Sequence, residues 1–212
     1  MLKEFEKRLL SSIILIPIAI FFIIQGSVFF IFFLSLIFLA TNYEWVKMIK
    51  KNNFIKIFGI IFLFFSFYSA FYIREKSGLN FFLFILIICI FTDIGGYLFG
   101  KTFKGPKLTK ISPNKTYAGV IGSFLFSLIA ALVFIKYVDE IGFKNNDQLE
   151  VLLVILFISF ISQIGDLIIS YFKRKAKLKD TGKILPGHGG FLDRVDGLIF
   201  VMPVIYLMYF IN

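Results

Sequence analysis

The 212 residues carry 58% hydrophobic side chains against 17% charged ones, and 31 of them are Phe. One water-soluble core of this length cannot bury so many large apolar groups, so an ordinary soluble domain is excluded; the expected class is all-α, a polytopic integral membrane helix bundle forming a single domain over residues 1–212. A net charge of +10 in such a chain reads as loop bias rather than as a nucleic-acid footprint.

Seven apolar runs follow one another, at residues 9–24, 28–40, 54–73, 79–99, 117–138, 151–169 and 195–211. A perpendicular helical span needs about 20 residues, so the first two runs are short and are expected to thin the bilayer, recruit flanking residues or form a partly embedded hairpin around Gln25-Gly26-Ser27. The first run follows Lys3, Lys7 and Arg8 as a signal peptide would. A second apolar run follows at once, however, and the first is therefore read as a retained span. Trp45, at the end of the second run beside Glu44, is read as an interfacial anchor. Cys89 lies inside the fourth run and has no second cysteine to pair with.

If the N-terminus is cytoplasmic and the runs alternate, 19 of the 23 Lys and Arg residues fall on the inner side. Only Arg74, Lys76, Lys136 and Lys144 fall outside. That asymmetry predicts seven spans with the N-terminus inside, and it places the two polar, motif-bearing stretches at residues 93–116 and 170–196 in the cytoplasm.

Those stretches hold the groups capable of chemistry. Asp93 and Asp166 sit near the ends of the fourth and sixth runs, about 5–10 Å below the expected helix ends at 1.5 Å per residue. Acids at such depth are costly and mark a function by default, the alternative being a buried pair with Lys115 or Arg194. Asp193 and Asp196, three apart at the start of the last run, are expected on one helical face. Asp166 and Asp193 flank the second polar stretch and are expected to approach if it folds back. Asp166, Asp193, Asp93 and Asp196 suit Mg²⁺, a hard cation that takes carboxylates and substrate phosphates, with a second cation left open. Zinc does not fit a chain with one His and one Cys. For phosphate, Ser112, Asn114, Lys115 and Thr116 stand at the positive end of the fifth run, and Gly189, Gly190 and Arg194 near that of the seventh. Lys173 and Arg174 add cationic contacts. His188, between glycines, is read as a phosphate hydrogen-bond partner.

The spacing Ser170-x-x-Lys173-Arg174-x4-Lys179-Asp180-x-Gly182-x-x-Leu185-Pro186-x-His188-Gly189-Gly190-x-x-Asp193-Arg194-x-Asp196 resembles the C-terminal motif of phosphatidate cytidylyltransferases. Asp93-x-x-Gly96-Tyr97-x-x-Gly100-Lys101, Ser112-Pro113-x-Lys115-Thr116 and Gly165-Asp166-Leu167 extend the resemblance across residues 93–196, while the first 90 or so residues match in hydropathy alone. The resemblance implies CTP and phosphatidic acid as substrates, CDP-diacylglycerol and diphosphate as products, and Mg²⁺ as cofactor. It also implies catalytic roles for Asp166, Asp193, Asp196, Lys173, Arg174, His188 and Arg194. Substrate binding then falls to Ser112, Asn114, Lys115, Thr116, Lys179, Asp180, Gly189 and Gly190. The expected setting is a bacterial inner membrane with the site facing the cytoplasm, and a homodimer is left open. Two positions depart from the family pattern: Ile169 stands where many members have Glu, and Ala118 where a polar residue is frequent. Two other readings remain, a CTP-dependent polyprenol or dolichol kinase and an ion transporter using Asp93 and Asp166.

Overall fold

The computed structural model describes residues 2–109, 111–113, 115–138, 147–185, 187 and 189–211. All seven apolar runs are helical. In chain order the helices are α1 (Leu2–Gln25), α2 (Ser27–Met48), α3 (Asn53–Lys76), α4 (Gly78–Phe103), α5 (Tyr117–Tyr137), α6 (Gln148–Lys175), α7 (Leu192–Val195) and α8 (Leu198–Ile211). Among the described residues there are no strands, only isolated bridges at Lys107–Thr116 and Leu185–Gly189. Helices α2 to α6 are each long and apolar enough to cross a membrane, and Ser11–Gln25 and Leu198–Tyr209 are shorter apolar segments. The chain is a multi-pass, all-α membrane protein.

Three boundaries differ from the sequence expectation. The second run is not short, because Thr41–Met48 continue its helix to a full span. Helices α4 and α6 run to Phe103 and Lys175, so Asp93 and Asp166 lie about 13–15 Å of helix from those ends rather than 5–10 Å. The last run is broken: α7 stops at Val195, Asp196 and Gly197 form a turn, and α8 begins at Leu198.

The chain divides into two compact units, one formed by Met1–Leu79 with Phe172–Asn212 and the other by Asn80–Tyr171. In the first, α1 and α2 form a hairpin whose turn is closed by α3. Gly26 takes φ +65°, open to glycine. Arg74 donates to the terminal carbonyls of Ile23 and Ile24 at 2.8 and 3.0 Å, and Glu75 accepts from Ser27 N at 2.8 Å. A cation thus meets the negative end of α1 and an anion the positive end of α2. Trp45 does not act as an exposed anchor. It is 5% exposed, packs on Gly59 and edge-on to Phe172, and donates its indole N–H to Lys56 O at 3.1 Å. The absence of a side chain at Gly59 makes room for the ring.

Helix α3 also packs on α8. Pro203 inside α8 has no N–H for the carbonyl of Ile199, four residues earlier. Ser66 of α3 supplies the missing donor, Oγ to Ile199 O at 2.6 Å, in a buried contact. Phe62 against Phe200, and Tyr206 against Phe65, Tyr68 and Tyr72, fill the same interface.

The second unit brings α4, α5 and α6 together through small and hydroxylated residues. A Cβ on Gly95 would run into the carbonyl of Gly122, so these two backbones meet only without side chains. Ser123 donates to Thr92 O, and Thr92 donates to Ser159 Oγ, both at 2.8 Å, linking α5 to α4 and α4 to α6.

Candidate active site

In the second unit, the segment between α4 and α5 folds back on itself. Leu108 N donates to Lys115 O at 2.8 Å, Tyr117 N to Pro106 O at 3.3 Å and Lys115 N to Ser112 O at 3.0 Å. Ser112 N in turn donates to Thr109 Oγ1 at 3.2 Å. Thr116 then caps α5, its Oγ1 accepting from Gly119 N at 3.1 Å. These bonds fix Lys115 at the head of α5. Its ammonium lies 2.6 Å from Asp166 Oδ2 and 3.4 Å from Gln163 O. Asp166 Oδ1 accepts from Ser170 Oγ, one helical turn on, at 3.2 Å. Both members of the Lys115–Asp166 pair keep about a quarter of their side-chain surface exposed, 24% and 28%. The pairing weighed from the sequence for Asp166 is therefore present, with Lys115. Asp93 is exposed on α4.

In the first unit, α6 ends in a left-handed turn. Lys177 takes φ +58°, with Lys177 N donating to Arg174 O and Leu178 N to Lys173 O. Arg174 Nη1 donates to Leu178 O at 3.1 Å and closes that helix end. The chain turns at Gly187 and Gly189, both at positive φ, with Leu185 N donating to Gly189 O at 3.0 Å.

Asp193 sits at the centre of this loop. Its Oδ1 accepts from the Lys173 ammonium at 2.8 Å. Its Oδ2 accepts from Thr181 N at 2.8 Å, Thr181 Oγ1 at 3.0 Å and Gly190 N at 3.1 Å. Asp193 thus meets a charged donor on one oxygen and backbone donors on the other. Asp196 is buried and accepts from Gly197 N at 2.9 Å through Oδ1, serving the break before α8. Lys179, Asp180 and Arg194 are exposed. His188 and Asn114 lie outside the described residues.

Two residues to which the sequence reasoning gave no role bind into this loop. Glu44 of α2 is 1% exposed. Its Oε1 accepts from Phe191 N at 3.0 Å, and its Oε2 from Leu192 N at 2.9 Å and Thr181 Oγ1 at 2.8 Å. Thr181, 4% exposed, therefore touches two carboxylates. The signal for Glu44 was in plain view: it is the single acid of α2, whose other charged residue is Lys47.

The donor set suits a hard cation, since the oxygens on offer are carboxylate oxygens and two of the acids already hold a positive charge, in the form of a lysine ammonium. Among the described residues, no group of three or more His, Cys, Asp or Glu is gathered around one point. Mg²⁺ needs no such cage, for it keeps waters and takes one or two carboxylates with substrate phosphates.

The sequence model of the cytidylyltransferase family matches residues 53–212. The phosphatidate cytidylyltransferase of Staphylococcus haemolyticus (strain JCSC1435) is 42% identical over 142 residues, 66% of this chain and 53% of that protein. That of Staphylococcus aureus (strain COL) is 44% identical over 142 residues with the same coverage. The chain thus spans about half the length of the curated relatives it matches.

Proposed function

The chain belongs to the cytidylyltransferase family, and from that premise we propose that it catalyses CTP + phosphatidic acid → CDP-diacylglycerol + diphosphate in a bacterial cell membrane, with its polar loops in the cytoplasm. A phosphate oxygen of the lipid attacks the α-phosphorus of CTP; the new P–O bond forms as the bond to the bridging oxygen breaks, and diphosphate leaves with that electron pair. The attacking group is already anionic near neutral pH, so the protein needs no strong base. Its task is to hold crowded oxyanions in place and to offset their charge.

Lys115 suits that task in the second unit: it is held by the folded-back segment at the head of α5, where the helix end also favours anions. Asp166 keeps the Lys115 ammonium in position until phosphate competes for it. In the first unit, Lys173 is a buried ammonium set by Asp193, and Gly189 and Gly190 belong to the same loop. Asp166, with Asp93 of the same unit, would hold Mg²⁺, which when bound would supply charge neutralisation on substrate phosphates. Asp193 and Asp196 are the other carboxylates of the set.

The observation that carries this reading is the identity of 42–44% to phosphatidate cytidylyltransferases, with every sequence-assigned site residue inside the family match at 53–212. The test is incubation of the purified chain, in lipid nanodiscs, with CTP labelled at the α-phosphorus, phosphatidic acid and Mg²⁺. Labelled CDP-diacylglycerol and diphosphate in equal amounts are expected. Release of CDP with phosphate carried to an alcohol would overturn the reading.

A further inference from the structure

Glu44 lies outside the part of the chain that the family match covers, 53–212, yet it is buried against the loop that carries Asp193. A buried carboxylate is stable only where charge-assisted hydrogen bonds replace water. Glu44 finds them in two consecutive backbone N–H groups, Phe191 and Leu192, and in the Thr181 hydroxyl. Those two amides open the short helix on which Asp193 stands.

The surrounding glycines fit the same account. A Cβ on Gly182 or on Gly190 would collide with the Glu44 carboxylate. These two glycines therefore make room for an acid arriving from another helix. The Thr181 hydroxyl has one hydrogen and two carboxylate neighbours, Glu44 Oε2 at 2.8 Å and Asp193 Oδ2 at 3.0 Å. It can donate to one at a time, which ties the place of one acid to the place of the other.

We propose that Glu44 is a positioning residue: through Phe191 N, Leu192 N and Thr181 Oγ1 it holds the Gly190–Asp193 turn in the orientation that presents Asp193 to Lys173. The role of that turn in turnover rests on the cytidylyltransferase reading. The hold on the backbone does not. Glu44 touches no reacting atom; it acts through Asp193.

Glu44→Gln separates the two statements. The amide keeps the size of the side chain but sets an NH₂ against one of the backbone N–H groups. In the full chain in nanodiscs, amide hydrogen exchange at Phe191 and Leu192 is expected to quicken by about tenfold or more, as a strong charge-assisted bond is lost. Exchange across α3 is expected to stay unchanged. Turnover per folded enzyme should fall by about tenfold with KM for CTP held within about threefold, the pattern of geometry lost in the transition state. Thr181→Val, which removes one of the three donors, should shift both readouts the same way by less. Wild-type kcat in Glu44→Gln would overturn the positioning role. Fast exchange at Phe191 and Leu192 in the unmodified protein would overturn it too, and that measurement stands even if the variant does not fold. If the unmodified chain makes no CDP-diacylglycerol, the proposed function fails, while the exchange pattern still decides whether Glu44 holds the turn.

Discussion

The two lysine–carboxylate pairs differ in burial, and that difference separates stability from activity. Lys173 and Asp193 keep only 11% and 9% of their side-chain surface, so removing one partner strands a buried charge. Asp193→Ala also strips Thr181 N and Gly190 N of their acceptor. The expected loss is about 3–5 kcal/mol, read as a fall in apparent melting midpoint in detergent, and Lys173→Met should cost less because Asp193 keeps three donors. The Lys115–Asp166 pair, a quarter exposed, has water to fall back on. Asp166→Asn should therefore cost about 1 kcal/mol or less of stability while lowering turnover by about a thousandfold, roughly 4 kcal/mol of barrier. A parallel loss of melting midpoint and turnover in Asp166→Asn would show that its role is structural. Residue spacing alone had marked both acids as equivalent metal ligands. It offered Lys115 as a partner for Asp166, but not the Lys173 and Thr181 partners of Asp193, which meet it through a tight turn rather than along one helix.

At the scale of elements, hydropathy located all seven helical runs, since in lipid an apolar stretch has no other way to satisfy its backbone. It misplaced ends wherever polar residues prolong a helix, as Thr41–Met48 prolong α2 and Ser170–Lys175 prolong α6. It also missed the break at Asp196-Gly197, and it cannot show a contact made far along the chain. The repair of α8 by Ser66 is of that kind. Ser66→Ala leaves the buried carbonyl of Ile199 without a donor and should destabilise by about 1–3 kcal/mol. Pro203→Ala restores an N–H at the right position, so the double variant should regain most of that loss in a thermal double-mutant cycle. Simple additivity of the two changes would break the link between them. The α6 terminus offers a gain instead. Lys177 sits at φ +58°, a conformation costing about 1 kcal/mol for a residue with a Cβ. Lys177→Gly should raise the melting midpoint and leave turnover intact, since that side chain is exposed and takes no part in either cluster.

For the whole molecule, orientation in the membrane rests on charge. Nineteen of 23 basic residues fall on one side when the helices alternate, and long basic side chains are held back on the cytoplasmic side during insertion. The arrangement within the first unit agrees with alternation. The α1–α2 turn meets Arg74 and Glu75 at the far end of α3, while Trp45 near the end of α2 meets Lys56 near the start of α3. Single cysteines test the assignment, in a background where the buried Cys89 is replaced by Ala. Cysteine at Lys107 or at Lys177, both exposed, is expected to resist a membrane-impermeant maleimide in intact cells and to react once the membrane is opened. Cysteine at Lys76, exposed at the end of α3, is expected to react in intact cells. Asn146, the other outer position suggested by the charge count, lies outside the described residues and serves as a second outer probe. Labelling at 107 and 177 from opposite sides of the membrane would sink the alternating assignment, and with it any reaction that draws on both polar stretches from the cytoplasm. Labelling of both in intact cells, with Lys76→Cys protected, would invert the protein and leave CTP on the wrong side of the membrane for its polar loops.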